Sequence, residues 1–209
     1  MSGLTIALTK GRLASRTMSL LENIGIHCEE MYTDTRKLVL EDEGAGVKFF
    51  LAKAGDVPTY VEYGAADLGV VGKDVLLEEK KDIYEVLDLK FGKCRMAVAG
   101  FPEGKQLLRS GADFKVATKY PEIAREYFLK RHQMPEILKL GGSIELAPIV
   151  GLADVIVDIV ETGSTLKENG LVVLDTVCPV SARLVVNKAS MKIRHEEISD
   201  LIRRIGSSL

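Results

Sequence analysis

The sequence predicts a two-lobed α/β protein built on mostly parallel, mixed sheets flanked by helices, and three observations carry that expectation. Short apolar runs alternate with stretches of helical spacing along the whole chain, the rhythm of parallel sheets covered by helices. The runs end in glycines, hydroxyl residues or cations, which places the chemistry at the carboxyl ends of strands, where open α/β sheets bind ligands. With 209 residues and 46% hydrophobic content, the chain can bury roughly 70% of its unfolded surface, enough for one large or two small cores.

The elements follow in order. Leu4 to Leu8 reads as a strand, Lys10-Gly11-Arg12 as a loop, and Leu13, Leu20, Leu21 and Ile24 as one helix face. Val47 to Ala52 is a second strand, after which Asp56 can cap a helix with Pro58 in its first turn. Leu68 to Val71 ends at Gly72 and is followed by Asp74-Val75-Leu76-Leu77; then come Tyr84 to Leu89 and Arg95 to Ala99. Beyond the glycine- and proline-bearing stretch from Gly100 to Gly104, a strand is expected from Phe114 to Ala117 and a helix from Pro121 to about His132. Glu136 to Leu140 leads to Gly141-Gly142-Ser143, read as the opening of a short helix through Leu146 and Ile149. Val155 to Val160, Leu171 to Val177 and Arg183 to Val186 are the last strands, before one amphipathic helix from about Met191 to Ile205. No repeat or linker divides the chain, so the lobes must arise from crossings near Phe91-Gly92 and Cys178-Pro179. The expected domains are 1–92 with 178–209, and 93–177.

Composition narrows the function classes. A formal net charge of -2 offers no global cationic field for nucleic acid or an anionic membrane, so any anion site must be local. The three cysteines, Cys28, Cys94 and Cys178, are widely spaced and read as reduced, packed thiols. His27, His132 and His195 fall in no nucleophile or metal spacing, and His195 is expected at the surface. The N-terminus carries no export pattern, and no apolar run approaches the roughly 20 residues of a membrane helix; the expected location is cytoplasmic.

Asp158-Ile159-Val160-Glu161-Thr162-Gly163-Ser164-Thr165 is the most informative stretch. A strand delivers a turn of small residues, and Leu166-Lys167-Glu168 starts a helix, which sets backbone N–H groups and hydroxyls where a phosphate binds. Helix capping alone accounts for the hydroxyls. Acids beside an anion cradle are harder to explain, and a ribose 5-phosphate explains them: phosphate on the amides, sugar hydroxyls on Asp158 and Glu161. Lys10, Arg12, Arg36 and Lys53 near strand ends can clamp a diphosphate, although each taken alone reads as ordinary surface charge. Gly141-Gly142-Ser143-Ile144-Glu145 and Gly72-Lys73-Asp74 are each either a further ligand loop or a helix cap.

Several segments in order resemble the short form of the ATP phosphoribosyltransferases: Thr9-Lys10-Gly11-Arg12-Leu13, Asp56-Val57-Pro58-Thr59-Tyr60-Val61, Ala66-Asp67-Leu68-Gly69-Val70, Gly141 to Pro148, and Asp158 to Leu166. The resemblance covers essentially the whole chain. It implies a type II periplasmic-binding-protein-like fold and attack of N1 of ATP on phosphoribosyl pyrophosphate with release of diphosphate, the first step of histidine biosynthesis. It assigns the ribose 5-phosphate to Asp158, Glu161, Thr162, Gly163, Ser164 and Thr165. It places Lys10, Gly11, Arg12, Arg36, Lys53, Asp74 and Glu145 around the diphosphate and ATP, with no covalent nucleophile and with Mg²⁺ carried mainly by the diphosphate. Because the long form's C-terminal regulatory domain is not expected after Leu209, it also implies a histidyl-tRNA-synthetase-like regulatory subunit in a hetero-oligomer, an octamer by family resemblance. The residues alone leave two rivals: a two-lobed small-anion binding or sensor protein, and a phosphoribosyltransferase with another acceptor.

Overall fold

The first apolar run forms β1 (Leu4–Thr9), and Ala14, Thr17, Met18 and Leu21, spaced i, i+3, i+4, i+7, bury one face of α1 (Arg12–Glu22) against it. There follow β2 (Val39–Asp42), β3 (Val47–Ala52), α2 (Val57–Glu62), β4 (Leu68–Gly72), α3 (Lys73–Glu79) and β5 (Tyr84–Asp88). The next segment builds β6 (Cys94–Gly100), α4 (Gly104–Ser110), β7 (Lys115–Thr118), α5 (Pro121–Leu129), β8 (Glu136–Lys139), α6 (Leu146–Ile149), β9 (Val155–Val160), α7 (Ser164–Glu168) and β10 (Val172–Val180). The chain closes with β11 (Ala182–Val186), α8 (Lys188–Ile193) and α9 (His195–Ser207). This computed structural model describes residues 3–33, 36–110 and 112–209.

Contacts divide the chain into Met1–Gly92 with Ser181–Leu209, and Lys93–Val180. The return crossing falls at Ser181, not at Cys178, because Cys178 and Val180 still pair with Met96 and Cys94 on β6. Pro179 fits in β10 because that strand is the edge of its sheet, where a missing N–H is tolerated.

Each unit has its own mixed sheet. In the first the order is β2-β3-β1-β4-β11-β5; β3, β1 and β4 are parallel, and the pairings made by β2 and β11 are antiparallel. In the second the order is β10-β6-β9-β7-β8, with β8, β7 and β9 parallel and β6 antiparallel to both of its neighbours. Apart from β2, the two orders are the same: second, first and third parallel strands, then an antiparallel strand, then the edge. Parallel pairing thus describes the centre of each sheet. Antiparallel strands complete it where the chain enters from, or returns to, the other unit.

Local readings changed in several places. The terminal helix is two helices, broken at Arg194 (φ -117°, ψ 36°). The break is anchored on both sides: the Asn187 side chain caps α8 through Ser190 N at 2.8 Å, and the Arg194 guanidinium reaches Asp67 Oδ2 at 3.2 Å and Gly3 O at 3.1 Å. α4 went unread because it starts at glycine; a Cβ on buried Gly104 would sit 2.9 Å from Leu174 Cδ1, and that side chain would have to move to admit it. β2 buries only Leu40 and is too short to show alternation. Asp56 occupies the cap position of α2 but makes no capping bond with its side chain; Pro58 does lie in the first turn. The cysteines form no disulfide, and burial pushes the Cys28 thiol up, which keeps it protonated.

Candidate active site

In the second unit, β9 delivers the chain into a turn at Glu161, Thr162 and Gly163, and α7 starts at Ser164, two residues earlier than the sequence suggests. Gly163 has φ 81° and ψ 9°. A left-handed residue followed by a right-handed one turns successive N–H groups to the same side, the backbone nest that anions occupy. The dihedral, not crowding, calls for glycine: an added Cβ would meet only Val160 Cγ1 at 3.6 Å. Thr162 Oγ1 accepts from Ser164 N at 3.3 Å and lies 3.1 Å from Ser164 Oγ, so hydroxyls rim the nest. With five residues, α7 is too short to sum a strong macrodipole; the local amides and hydroxyls must supply the attraction.

A cavity of about 340 Å³ opens over this turn. Its rim is Glu161, Thr162, Gly163, Ser164 and Thr165, and its walls carry the carboxylates of Asp158 and Glu145. Asp158 Oδ1 accepts from Ile159 N at 2.8 Å, which fixes the direction of that carboxylate. Ala97 and Ala99 on β6 form the floor; both are fully buried, and their small side chains leave the space above the sheet open. Sequence reasoning missed this pair, although small residues at alternate positions of an apolar strand were the available signal. Glu145, expected from the family resemblance around the diphosphate and ATP, lines this cavity. Ser143 does not open α6: it has φ 50°, and its carbonyl accepts from Leu146 N at 3.1 Å as the helix begins at Leu146.

In the first unit, Thr9 and Ala52 are register partners, so the loops after β1 and β3 leave the sheet side by side. Lys10 lies exposed on the first loop and Arg12 exposed at the start of α1, with Gly11 at φ 94° between them, and Lys53 lies exposed on the second loop. Lys10 N donates to Ala52 O at 3.1 Å, and Lys53 O accepts from Asp56 N at 3.0 Å. β2 runs opposite to β3, with Val39 beside Phe50, so Arg36 precedes β2 at the same edge. Asp74 follows β4 but is buried, and its Oδ1 sits where a Cβ on Gly72 would be, so it folds over the loop's own backbone.

A family model described as HisG, ATP phosphoribosyltransferase, matches residues 53–207. The chain is 63% identical over its whole length to an ATP phosphoribosyltransferase of Lachnoclostridium phytofermentans, covering 98% of that protein. Among solved structures, it resembles a chain of the ATP phosphoribosyl transferase (HisG:HisZ) complex from Thermotoga maritima, with 33% identity, a TM-score of 0.81 and 98% of each chain covered. The periplasmic aliphatic sulphonate binding protein SsuA from Escherichia coli shares the fold alone, at 12% identity and a TM-score of 0.62, over 100% of this chain and 72% of that one.

Proposed function

We propose how this chain works from one premise: it belongs to the ATP phosphoribosyltransferase family. Its activity is the family's transfer of the phosphoribosyl group of phosphoribosyl pyrophosphate to N1 of ATP, with release of diphosphate, in histidine biosynthesis. The observation that carries the assignment of roles is the backbone nest at Gly163 sharing one cavity with Asp158 and Glu161.

The nest and the hydroxyls of Thr162, Ser164 and Thr165 hold the 5-phosphate, while Asp158 and Glu161 accept from the ribose hydroxyls and fix the sugar's orientation. Glu145, across the same cavity, completes the polar wall. Lys10, Gly11, Arg12, Arg36 and Lys53, with Asp74 beneath them, form the phosphate-binding edge of the first unit for diphosphate and ATP. Adenine N1 is largely unprotonated at neutral pH, and diphosphate leaves as a stable anion, so no side chain has to abstract a proton or form a covalent bond. Catalysis rests on alignment, worth up to roughly 7 to 11 kcal/mol, and on cations placed where charge gathers on the departing diphosphate.

Among the described residues there is no cluster of three or more metal-ligating side chains. The hard carboxylate oxygens that line the cavity fit Mg²⁺ held mainly through substrate oxygens, where it would neutralise diphosphate charge. No helix among the described residues is long and apolar enough to cross a membrane. The relative from T. maritima is a HisG:HisZ complex, and by that likeness we assign this chain a histidyl-tRNA-synthetase-like regulatory partner.

The test is to mix the chain with ATP, phosphoribosyl pyrophosphate and Mg²⁺, alone and with the regulatory subunit, following the adduct's ultraviolet absorbance and diphosphate release. Product in either mixture, lost in Asp158→Ala, supports the reading. Product undiminished by that substitution removes the role given to Asp158.

A further inference from the structure

The second unit has another cavity, of about 420 Å³, that the reaction does not use. It lies on the opposite face of the sheet from the 340 Å³ cavity. Ala97, Ala99, Ile156 and Asp158 point to the first cavity, whereas Leu174, which lines the second, packs where the alternate positions Gly100 and Val155 lie. Lys105 and Arg109 of α4 and Arg131 just after α5 supply its charge, and Leu108, Phe128 and Leu174 its apolar walls.

Arg131 is held in place before any ligand arrives. Its guanidinium stacks 3.7 Å from the centroid of the buried Tyr127 ring and donates to Asp175 Oδ2 at 3.1 Å and to Tyr127 O at 3.4 Å. The Tyr127 hydroxyl donates to the same Asp175 oxygen. That bond, ahead of the opposing effect of burial, holds the Asp175 carboxyl below its ordinary range, so the anchor stays ionised. An arginine fixed by a ring, a carboxylate and a carbonyl has already lost the rotamer freedom that an exposed one would lose on binding. Lys105 and Arg109 take part in no ion pair among the described residues. Three cations therefore face one already engaged carboxylate, an excess of positive charge in a chain whose formal net charge is -2.

We propose that this cavity is a second anion site, taking the phosphate of a small phosphate monoester whose body lies on the apolar wall. Arg131 offers a bidentate fork to the phosphate, Lys105 and Arg109 add charge, and Leu108, Phe128 and Leu174 receive the ester group. The site is independent of the roles assigned to the Gly163 nest.

The experiment is a titration of the full-length chain with phenyl phosphate and, separately, with inorganic phosphate, following backbone amide resonances by NMR. The expected result is saturable shifts at 105–109 and 127–133 that persist in Gly163→Ala. They should weaken about tenfold or more in the Lys105→Ala/Arg109→Ala double variant, as loss of two charge-assisted contacts requires. Binding should also weaken with added salt. Shifts that never saturate, or that the double substitution leaves unchanged, overturn the site. Inorganic phosphate binding as tightly as the ester means an adventitious ion only and also overturns it. Amide spectra that keep their dispersion in each variant separate loss of the site from loss of the fold.

Discussion

Two sheets that share their strand order, β2 aside, are finished differently at the end of their third parallel strand. In both units the third parallel strand of the centre, β4 in one and β9 in the other, leads into a short helix, directly after β4 and through a turn after β9. After β9 the chain takes Gly163 through φ 81° and leaves its amides turned to one side, with hydroxyls around them. After β4, Gly72 stays extended at φ -69°, and the Asp74 carboxylate folds back over it, so the equivalent place is filled by the protein's own acid. The first unit instead gathers long cations on the loops after β1 and β3. A backbone-built cradle and a side-chain-built edge can thus occupy equivalent ends of the same frame. In the proposed reading, the first would fix the position of a phosphate, while the second would add charge with less geometric demand.

The largest effect should come from the acid that pairs with the cradle. Asp158→Ala is expected to lower kcat/KM for phosphoribosyl pyrophosphate by about 100-fold or more, the loss of charge-assisted bonds to two hydroxyls. Steady-state kinetics with ATP saturating would measure it, and a fall below tenfold would remove Asp158 from the sugar site. Next in size, Gly163→Ala and Gly11→Ala strain the backbone in the two units, by roughly 1 to 2 kcal/mol at left-handed Gly163 and by roughly 1 to 3 kcal/mol at Gly11, whose φ 94° and ψ -147° favour glycine still more strongly. The account expects about a tenfold rise in the KM of phosphoribosyl pyrophosphate for the first and a rise in the KM of ATP for the second. Equal effects on both substrates would erase the distinction between the two ends. Lys10→Ala, Arg12→Ala, Arg36→Ala and Lys53→Ala should each cost only about 3- to 10-fold, with losses that shrink as ionic strength rises, because these side chains are exposed. A salt-independent loss at any of them would mean a structural role instead.

The smallest effect concerns stability. Asp175 is held below its ordinary range, first by the Tyr127 hydroxyl, so its contribution is present above the unfolded carboxyl range and is lost as pH falls through the lower, folded value. Asp175→Asn should flatten that part of the acid limb in urea midpoints measured against pH. An unchanged limb would show that the bond contributes nothing.

What the residues reveal depends on how each feature is built. β9 was legible to the residue, and its turn to within two residues, because an apolar strand, a glycine and hydroxyls are all local signals. The floor at Ala97 and Ala99 was not, since its meaning depends on β6 lying beside β9, with Ala97 opposite Asp158. That Glu145 lines this cavity was not legible, because its loop precedes α6 in sequence and only the packing of α6 on that sheet carries it there. The break at Arg194 was hidden for a similar reason: the helical spacing continues through it, while the bond to Asp67 that anchors it spans 127 residues. Asp34 and Thr35, beside Arg36, lie outside the described residues.

The most direct test of the central claim is a titration of the full-length chain with ribose 5-phosphate, following amide resonances by NMR. The account predicts that the amides of 162–166 show the largest saturable shifts and that Gly163→Ala weakens them. Silence at those amides, with saturable shifts only at residues 10–12 and 53, would contradict it.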